Sequence, residues 1–441
     1  MKLKSFIIYL MLMPCVSAAY EADRVYTIQD AYDAALTKNE TIKLSEENLI
    51  QAGSRIDQAW TYLYPRLTAS GAYTRYNETL PPEGGGFIFQ PLDQINTALV
   101  LTQPLYTGGR TLAALRVAKT MREASRNDLS ITKQTIMLGV GEGYYAVLKA
   151  QRLVEVRKNS LERMERHKEV TEREAATRRT KANISALLRA NTLVNQAHID
   201  LVRAEDGLKI ARQRLSLLTQ LPEDIAVFEP PPLAVPDGTL ASMRDTALKR
   251  REDYASSQLN QQAAKDLVTV TEGAHYPQVY AEGGMTYQHS HPETELDATV
   301  YYGGVRLQVP LFEGGLMKAE VAEAKSKQRQ AEYSSVLLRR QIESDVQEAY
   351  INYQTIVYVL GTAKLQFDDA KKNFDTVEGL FSEGLVASLT LIDAEQALSQ
   401  AEQEVVNATY DQQVAILRLE KTIGTLGDNS GVTSGDKRAT S

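Results

Sequence analysis

The sequence Pro-Leu-Tyr-Thr-Gly-Gly at residues 104–109 opens the longest regular segment of the chain. No proline occurs after it as far as residue 178, and most of the residues in between favour helix. At a rise of about 1.5 Å per residue, a segment of about 70 residues predicts a helix about 105 Å long. Such a length is typical of a coiled coil, so a second helix predicted over 183–220 should return beside the first.

The same order of features occurs a second time. Pro-Leu-Phe-Glu-Gly-Gly at residues 310–315 repeats the motif, and helices are predicted after it over 315–381 and 388–423. The sequence therefore predicts two tandem structural repeats, residues 20–227 and 240–426. Between them lies a proline-rich linker, residues 228–239, which we expect to be stiff and extended because proline fixes φ and lacks an N–H group.

Each repeat also contains a helix and two strands ahead of its long helices. The predicted helices cover residues 28–62 and 240–274, and each ends before a proline. The hydrophobic pattern then changes to a period of two, which is typical of strands. Strands are predicted over residues 67–76, 95–102, 279–287 and 299–309.

Four strands per chain are too few to close a barrel, and open strand edges are not tolerated in lipid. Three protomers would supply about twelve strands, an even number of the kind found in bacterial outer-membrane barrels. Apart from the first residues, no apolar stretch approaches the ~20 residues of a membrane-spanning helix. The chain is therefore expected either to be soluble or to enter a membrane as part of a β-barrel.

The two ends of the chain are expected to lie outside the folded region. Residues 1–19 have the basic, apolar and small-residue order of a secretory signal peptide. Cys15 leaves a lipoprotein anchor as an open alternative, although Pro14 precedes it where a small residue is expected. Residues 427–441 are polar and are expected to be disordered.

Composition and motifs argue against an enzyme. Cys15 is the only cysteine, so the mature chain can form neither a disulfide nor a thiolate metal site. The net charge of −7 argues against nucleic acid as a partner. No Ser/His/Asp or Cys/His constellation is evident, and no cofactor is expected. The glycines at residues 139–143 favour close packing over phosphate binding, and the histidines at 289 and 291 lack an evident third metal ligand.

Three features together resemble the TolC-like outer membrane efflux protein family: the pattern over residues 36–65, the doubled Pro-Leu-aromatic-x-Gly-Gly motif and the segment at residues 415–424. The resemblance implies an α+β membrane protein, a homotrimer with a 12-stranded β-barrel in the outer membrane. A long α-helical coiled-coil barrel would continue it into the periplasm. It also implies that Pro65, Pro104, Pro277 and Pro310 lie where strand meets helix.

The resemblance further implies a passive exit duct for efflux or type I secretion. Its partners would be a periplasmic adaptor protein and, through the adaptor, an inner-membrane transporter that supplies the energy. The alternative is a secreted or periplasmic coiled-coil scaffold without channel activity. That alternative accounts for the long helices but not for the alternating strands.

The family pattern also suggests which residues line the narrow periplasmic end. Asp393 matches a position on the helix after the tip turn that is often acidic in the family. Thr390 stands where a second acidic residue is common. The candidates for the pore constriction are Asp393, Thr390 and Arg189. The candidates for adaptor docking lie in the two tip turns, and the first of these turns lacks the glycine usual in the family. They are Arg178, Arg179, Lys181, Gly384, Leu385, Ala387 and Ser388.

The two predicted tips carry opposite charge. The charged residues of 173–189 are five basic and one acidic, whereas the five charged residues of 375–395 are all acidic. If the repeats alternate around a trimeric tube, acidic and basic tips become neighbours. Their ion pairs are then predicted to hold the entrance shut until an adaptor engages it, with ordinary solvated helix ends as the alternative.

Overall fold

In the computed structural model, residues 25–80, 90–177, 180–291, 293–294 and 297–427 are described. Helices make up most of this part of the chain. They are α1 Ile28–Lys38, α2 Glu40–Thr61, α3 Arg110–Thr177, α4 Lys181–Thr219, α5 Leu240–Arg250, α6 Glu252–Glu272, α7 Leu316–Ser382 and α8 Ser388–Ile423. The strands are β1 Val25–Tyr26, β2 Arg66–Arg75, β3 Asp93–Thr107, β4 Ala226–Val227, β5 Gln278–His291 and β6 Ala298–Gln308.

The long helices agree with their predicted bounds to within a few residues. α3 has 68 residues and α7 has 67, and each packs against the shorter helix that follows it. α8 also packs against α3, so the two pairs form one bundle. Within the described residues, no helix combines the length and apolar character needed to cross a lipid bilayer.

The predicted opening helices are each broken in two, so the prediction of a continuous helix was wrong at both places. Asn39 is extended, and its side chain accepts a hydrogen bond from the Thr41 N–H at 2.9 Å and donates one to the Leu218 carbonyl at 3.0 Å. Arg251 is also extended and forms ion pairs with Asp253 and Asp345. In both places polar contacts of one side chain stabilise a break in the helix.

The larger sheet is antiparallel with the strand order β2-β3-β5-β6. All four connections to helices lie at one end of it, because β2 and β5 follow helices whereas β3 and β6 precede them. In the described chain, one edge of β2 and one edge of β6 have no strand partner.

The prolines expected at the junctions differ in position. Pro65 and Pro277 immediately precede β2 and β5, and Pro310 lies between β6 and α7. Pro104 is instead inside β3, where the pairing with β5 shifts register between Pro104 and Tyr106. The prediction for Pro104 was wrong because a bulge lets the strand continue through a residue that has no N–H donor.

The linker is held against the bundle rather than crossing it freely. β1 and β4 form a small parallel sheet, and the Leu233 N–H donates to the side chain of Gln413 on α8 at 2.8 Å. The buried Tyr144 hydroxyl donates to the Phe228 carbonyl at 2.5 Å and also lies 2.9 Å from the Tyr26 carbonyl. Tyr144 is on α3, in the centre of the largest apolar cluster of the described residues. Its hydroxyl therefore holds two segments against α3: the start of the described chain and the linker.

Candidate functional site at the helix tips

The turn between α7 and α8 closes tightly around one glycine. Gly384 adopts a left-handed φ of 74°, and its N–H donates to the Phe381 carbonyl at 3.0 Å. The next N–H, that of Leu385, donates to the Leu380 carbonyl at 2.9 Å. This is the glycine-dependent helix end in which backbone groups satisfy the last carbonyls. Leu385 remains 67% exposed at the tip of the turn.

Ser388 lies at the start of α8 and faces inward. Its hydroxyl is 2.9 Å from Nε2 of His167 on α3, and the His167 ring packs 5.2 Å from the Phe381 ring. His167 is 4% exposed, its Nδ1 atom has no hydrogen-bond partner, and burial lowers the pKa of the imidazole. Ser388, a candidate for docking, therefore joins the second tip to the first helical pair.

A buried charge network connects the same two helices further from the tip. Arg163 on α3 contacts the carboxylates of Glu395 at 2.6 Å and of Glu402 at 2.9 Å, both on α8. Glu395 is 2% exposed and accepts a further hydrogen bond from Ser160 at 2.7 Å. Burial raises the pKa of Glu395, although the guanidinium of Arg163 opposes that shift. This network fixes α8 against α3.

The other constriction and docking candidates in the described chain point outward. Asp393, Thr390 and Arg189 are exposed, as are Lys181 and Ala387. Arg178 and Arg179 lie outside the described residues. Asp393 follows the buried Ile392 and precedes the buried Ala394, so α8 turns it away from the packed face.

Within the part of the chain that the structure describes, no ion pair joins the two tips. Among the described residues, neither Lys181 nor Arg189 forms an ion pair with an acidic side chain. Arg173 pairs with Glu169 on its own helix. For Lys181 and Arg189, the predicted pairing with acidic side chains of the other tip would therefore need a neighbouring copy.

The motifs set aside in the sequence have structural explanations. Gly141 faces Leu417 and the Tyr32 hydroxyl so closely that a Cβ atom would lie 2.5 and 2.9 Å from them, which agrees with close packing. His289 pairs with Asp297 at 3.3 Å. Within the described residues, no group of three or more His, Cys, Asp or Glu side chains could hold a metal ion.

The two faces of the larger sheet differ in polarity. One face carries exposed apolar side chains along its length, among them Leu67, Leu99, Leu101, Tyr301, Val305 and Leu307. The opposite face carries mainly Thr, Ser, Asn, Gln and glycine residues. An apolar outer face and a polar inner face are typical of strands from outer-membrane barrels.

The chain is similar in sequence and in fold to known outer-membrane proteins. The TolC outer membrane protein of Vibrio cholerae serotype O1 is 25% identical over 358 residues, which cover 76% of this chain and 78% of that protein. The Escherichia coli K12 TolC protein is 22% identical over 91% of this chain and 83% of its own. The solved Campylobacter jejuni CmeC outer membrane channel shares the fold, with a TM-score of 0.79 at 17% identity over 90% of this chain and 85% of that one.

Long paired helices joined to a two-faced antiparallel sheet define the class of outer-membrane exit ducts. The chain belongs to the outer membrane efflux protein family, whose sequence model matches residues 31–219 and 243–425. It is therefore an outer-membrane channel component of efflux or secretion systems, with its helical part in the periplasm. The related proteins are channels rather than enzymes.

Sequence reasoning did not find the contacts between α3 and α8. Arg163 and Glu395 are far apart in the chain, and charged residues at helical spacing usually lie on solvated faces. His167 is likewise unremarkable in the sequence.

Proposed function

We propose that three copies of this chain assemble into one passive channel, closed in the outer membrane by a 12-stranded barrel. The sheet carries this proposal. Among the described residues, its four strands leave one edge of β2 and one edge of β6 unpaired, and its exposed apolar face needs a lipid environment. Unpaired backbone groups are costly in lipid, so each edge of one copy would pair with the opposite edge of the next.

Exposed apolar side chains on the long helices also support assembly. Leu337, Tyr358 and Leu365 on α7 are each at least 67% exposed, and Leu217 on α4 is 80% exposed. Packing such large apolar side chains against another protein surface removes them from water and is favourable. Neighbouring copies arranged around a helical tube would cover these side chains.

Each copy would contribute two tandem repeats, residues 20–227 and 240–426, joined by the linker at 228–239. The order of elements supports this division, because a broken helix, two strands and a long helical pair occur in the same order twice. The two segments matched by the family model support it as well. Residues 1–19 would be removed as a signal peptide.

The tips would form the periplasmic entrance and the contact with a periplasmic adaptor, through which an inner-membrane transporter delivers cargo. Asp393, Thr390 and Arg189 are exposed, as a lining position requires, and remain our candidates for the constriction. Lys181, Gly384, Leu385 and Ala387 remain candidates for docking, together with Arg178 and Arg179. Ser388 would act indirectly, by holding the turn against His167.

A coiled-coil scaffold without channel activity would account for α3, α4, α7 and α8 but not for a sheet with one apolar and one polar face. Recordings from the purified mature protein in planar lipid bilayers separate the two functions. Discrete conductance steps are expected for a duct. Protein that incorporates into the bilayer without any conductance would contradict it.

A further inference from the structure

The polar face of the larger sheet carries its charges at one end only. Among the described strand residues, the charged side chains on this face are Arg66, Glu282 and Arg306. Arg66 on β2 and Glu282 on β5 lie in the same row across the sheet, because both pair in register with Thr102 on β3. Arg306 on β6 pairs with Tyr280 on β5, two residues along β5 from Glu282, so it lies in the next row of the same face. All three charges therefore lie at the end of the sheet that meets the helices.

Glu282 and Tyr280 hold Arg306 in place. The Arg306 guanidinium contacts the Glu282 carboxylate at 2.6 Å and lies 5.2 Å from the centre of the Tyr280 ring. Its side chain is nevertheless 55% exposed. A guanidinium carries five donors in a fixed fork, so an arginine held by one carboxylate retains donors for a second anion.

Arg66 differs from Arg306 in having no acidic partner among the described residues. It is exposed, and its side chain makes no ion pair within the described residues. Arg66 is the first residue of β2, one edge strand, and Arg306 is on β6, the other edge strand. Both lie within two residues of the helix-proximal end of their strands.

Joining copies edge to edge would bring these two arginines to the same seam. Neighbouring strands are about 4.8 Å apart, so side chains on the same face of adjacent strands are within contact range when their ends align. Two guanidinium groups would then face the lumen, with the single Glu282 carboxylate held on one side. Such a pair is destabilised by like charge unless an anion lies between them.

We propose that Arg66 of one copy and Arg306 of the neighbouring copy form an anion-binding site at each seam, at the junction of the barrel and the helical tube. The ligand would be a carboxylate or phosphate group of the cargo, bound by bidentate hydrogen bonds. The site would attract anionic cargo as it leaves the tube. The inference rests on the proposed trimeric duct, because each site needs two copies.

Block of the channel by inorganic tripolyphosphate tests this site. The anion is added to the barrel side of single channels in planar bilayers at about 0.1 M salt, where charges act over about 10 Å. Arg66→Gln and Arg306→Gln should each raise the half-blocking concentration about tenfold, as expected for the loss of one charge-assisted contact. Arg66→Lys and Arg306→Lys, which keep the charge without the fork, should raise it less.

Glu282→Gln should change the block in the opposite direction. Removing the competing carboxylate leaves Arg306 more available, so the half-blocking concentration should fall. Arg75→Gln is the matched control, because Arg75 is on the apolar face at the far end of β2 and should leave the block unchanged.

The outcomes separate this inference from the proposed function. Normal conductance with the same half-blocking concentration in both arginine variants would overturn the anion site and leave the duct intact. A rise in the half-blocking concentration of the Glu282→Gln channel would also overturn the site. Absence of conductance from the incorporated wild-type protein would overturn both.

Discussion

The guanidinium of Arg163 and the carboxylate of Glu395 meet at 2.6 Å between α3 and α8, the first long helix of one pair and the second helix of the other. Arg163 is 11% exposed and Glu395 is 2% exposed, so both charges have left water. Buried ion pairs add little to folding stability compared with an apolar contact of the same shape. Removing one partner is nevertheless costly, because it leaves the other charge buried and unpaired.

The first prediction concerns Arg163→Ala. We expect this change to lower the free energy of unfolding by about 3–5 kcal/mol, because it leaves Glu395 and Glu402 without their counter-charge. Thermal unfolding of the detergent-purified protein measures the loss. Arg166→Ala is the control, since Arg166 pairs with Glu162 on an exposed surface and should cost no more than about 1 kcal/mol. Equal shifts for the two variants would show that the buried network does not hold α8 to α3.

The second prediction compares two glycines of α3. A methyl group at Gly141 would meet the Leu417 side chain at 2.5 Å, and Leu417 is 2% exposed and cannot move aside freely. Gly141→Ala should therefore destabilise the protein by about 1–3 kcal/mol through overpacking.

A methyl group at Gly139 would meet only Leu218 at 3.6 Å, an ordinary contact. Gly139→Ala should leave stability unchanged or raise it by up to about 1 kcal/mol through helix propensity. Opposite signs in thermal unfolding are expected, and a Gly141→Ala protein as stable as wild type would argue against close packing.

The third prediction concerns pH. Burial lowers the pKa of His167 from its usual value of 6.5, so between the lowered pKa and about 6.5 the unfolded chain binds more protons than the folded one. The stability contributed by neutral His167 is thus fully present above about pH 6.5 and is lost as pH falls towards the lowered pKa. We expect the tip to become more sensitive to protease between pH 7.5 and pH 5.5.

His167→Gln should reduce this pH dependence, because an amide can still bond Ser388 but does not titrate in this range. His198→Gln is the control, as His198 is 56% exposed on α4. A His167→Gln protein with the wild-type pH profile would rule out the imidazole as its source.

The fourth prediction addresses the opposite charges of the tips. Replacing Arg178, Arg179 and Lys181 together by glutamine should raise single-channel conductance, if ion pairs between neighbouring tips narrow the entrance. Each exposed pair contributes only about 0–1 kcal/mol, so the effect depends on repetition around the tube. The control replaces Arg203, Lys209 and Arg214 by glutamine. These residues lie further along α4, away from the tip, so their replacement should not alter conductance. Unchanged conductance in the tip variant would favour ordinary solvated helix ends.

Much of the architecture could be read from the sequence because its periodicity is strong. The doubled Pro-Leu-aromatic-x-Gly-Gly motif marked the starts of α3 and α7, and period-two patterns marked all four strands of the larger sheet. The breaks at Asn39 and Arg251 were missed because each depends on tertiary contacts of one side chain. Pro104 was placed at a strand end, since a bulge that accommodates proline has no sequence signature of its own.

The site was less predictable than the fold. The exposure of Asp393 agrees with a position that lines a channel, but nothing in the sequence indicated that Ser388 turns inward to His167. The network around Arg163 joins residues more than 230 positions apart in the sequence. Predicting it would have required knowing how α3 and α8 pack against each other.

The proposed channel requires a complex of three chains. Native mass spectrometry of the mature protein, released from detergent micelles, measures that number. Because the four described strands of the larger sheet leave two edges unpaired and need partners to close a barrel, the expected mass is that of three chains. A stable single chain, fully folded in the same detergent, would contradict a channel built from three copies.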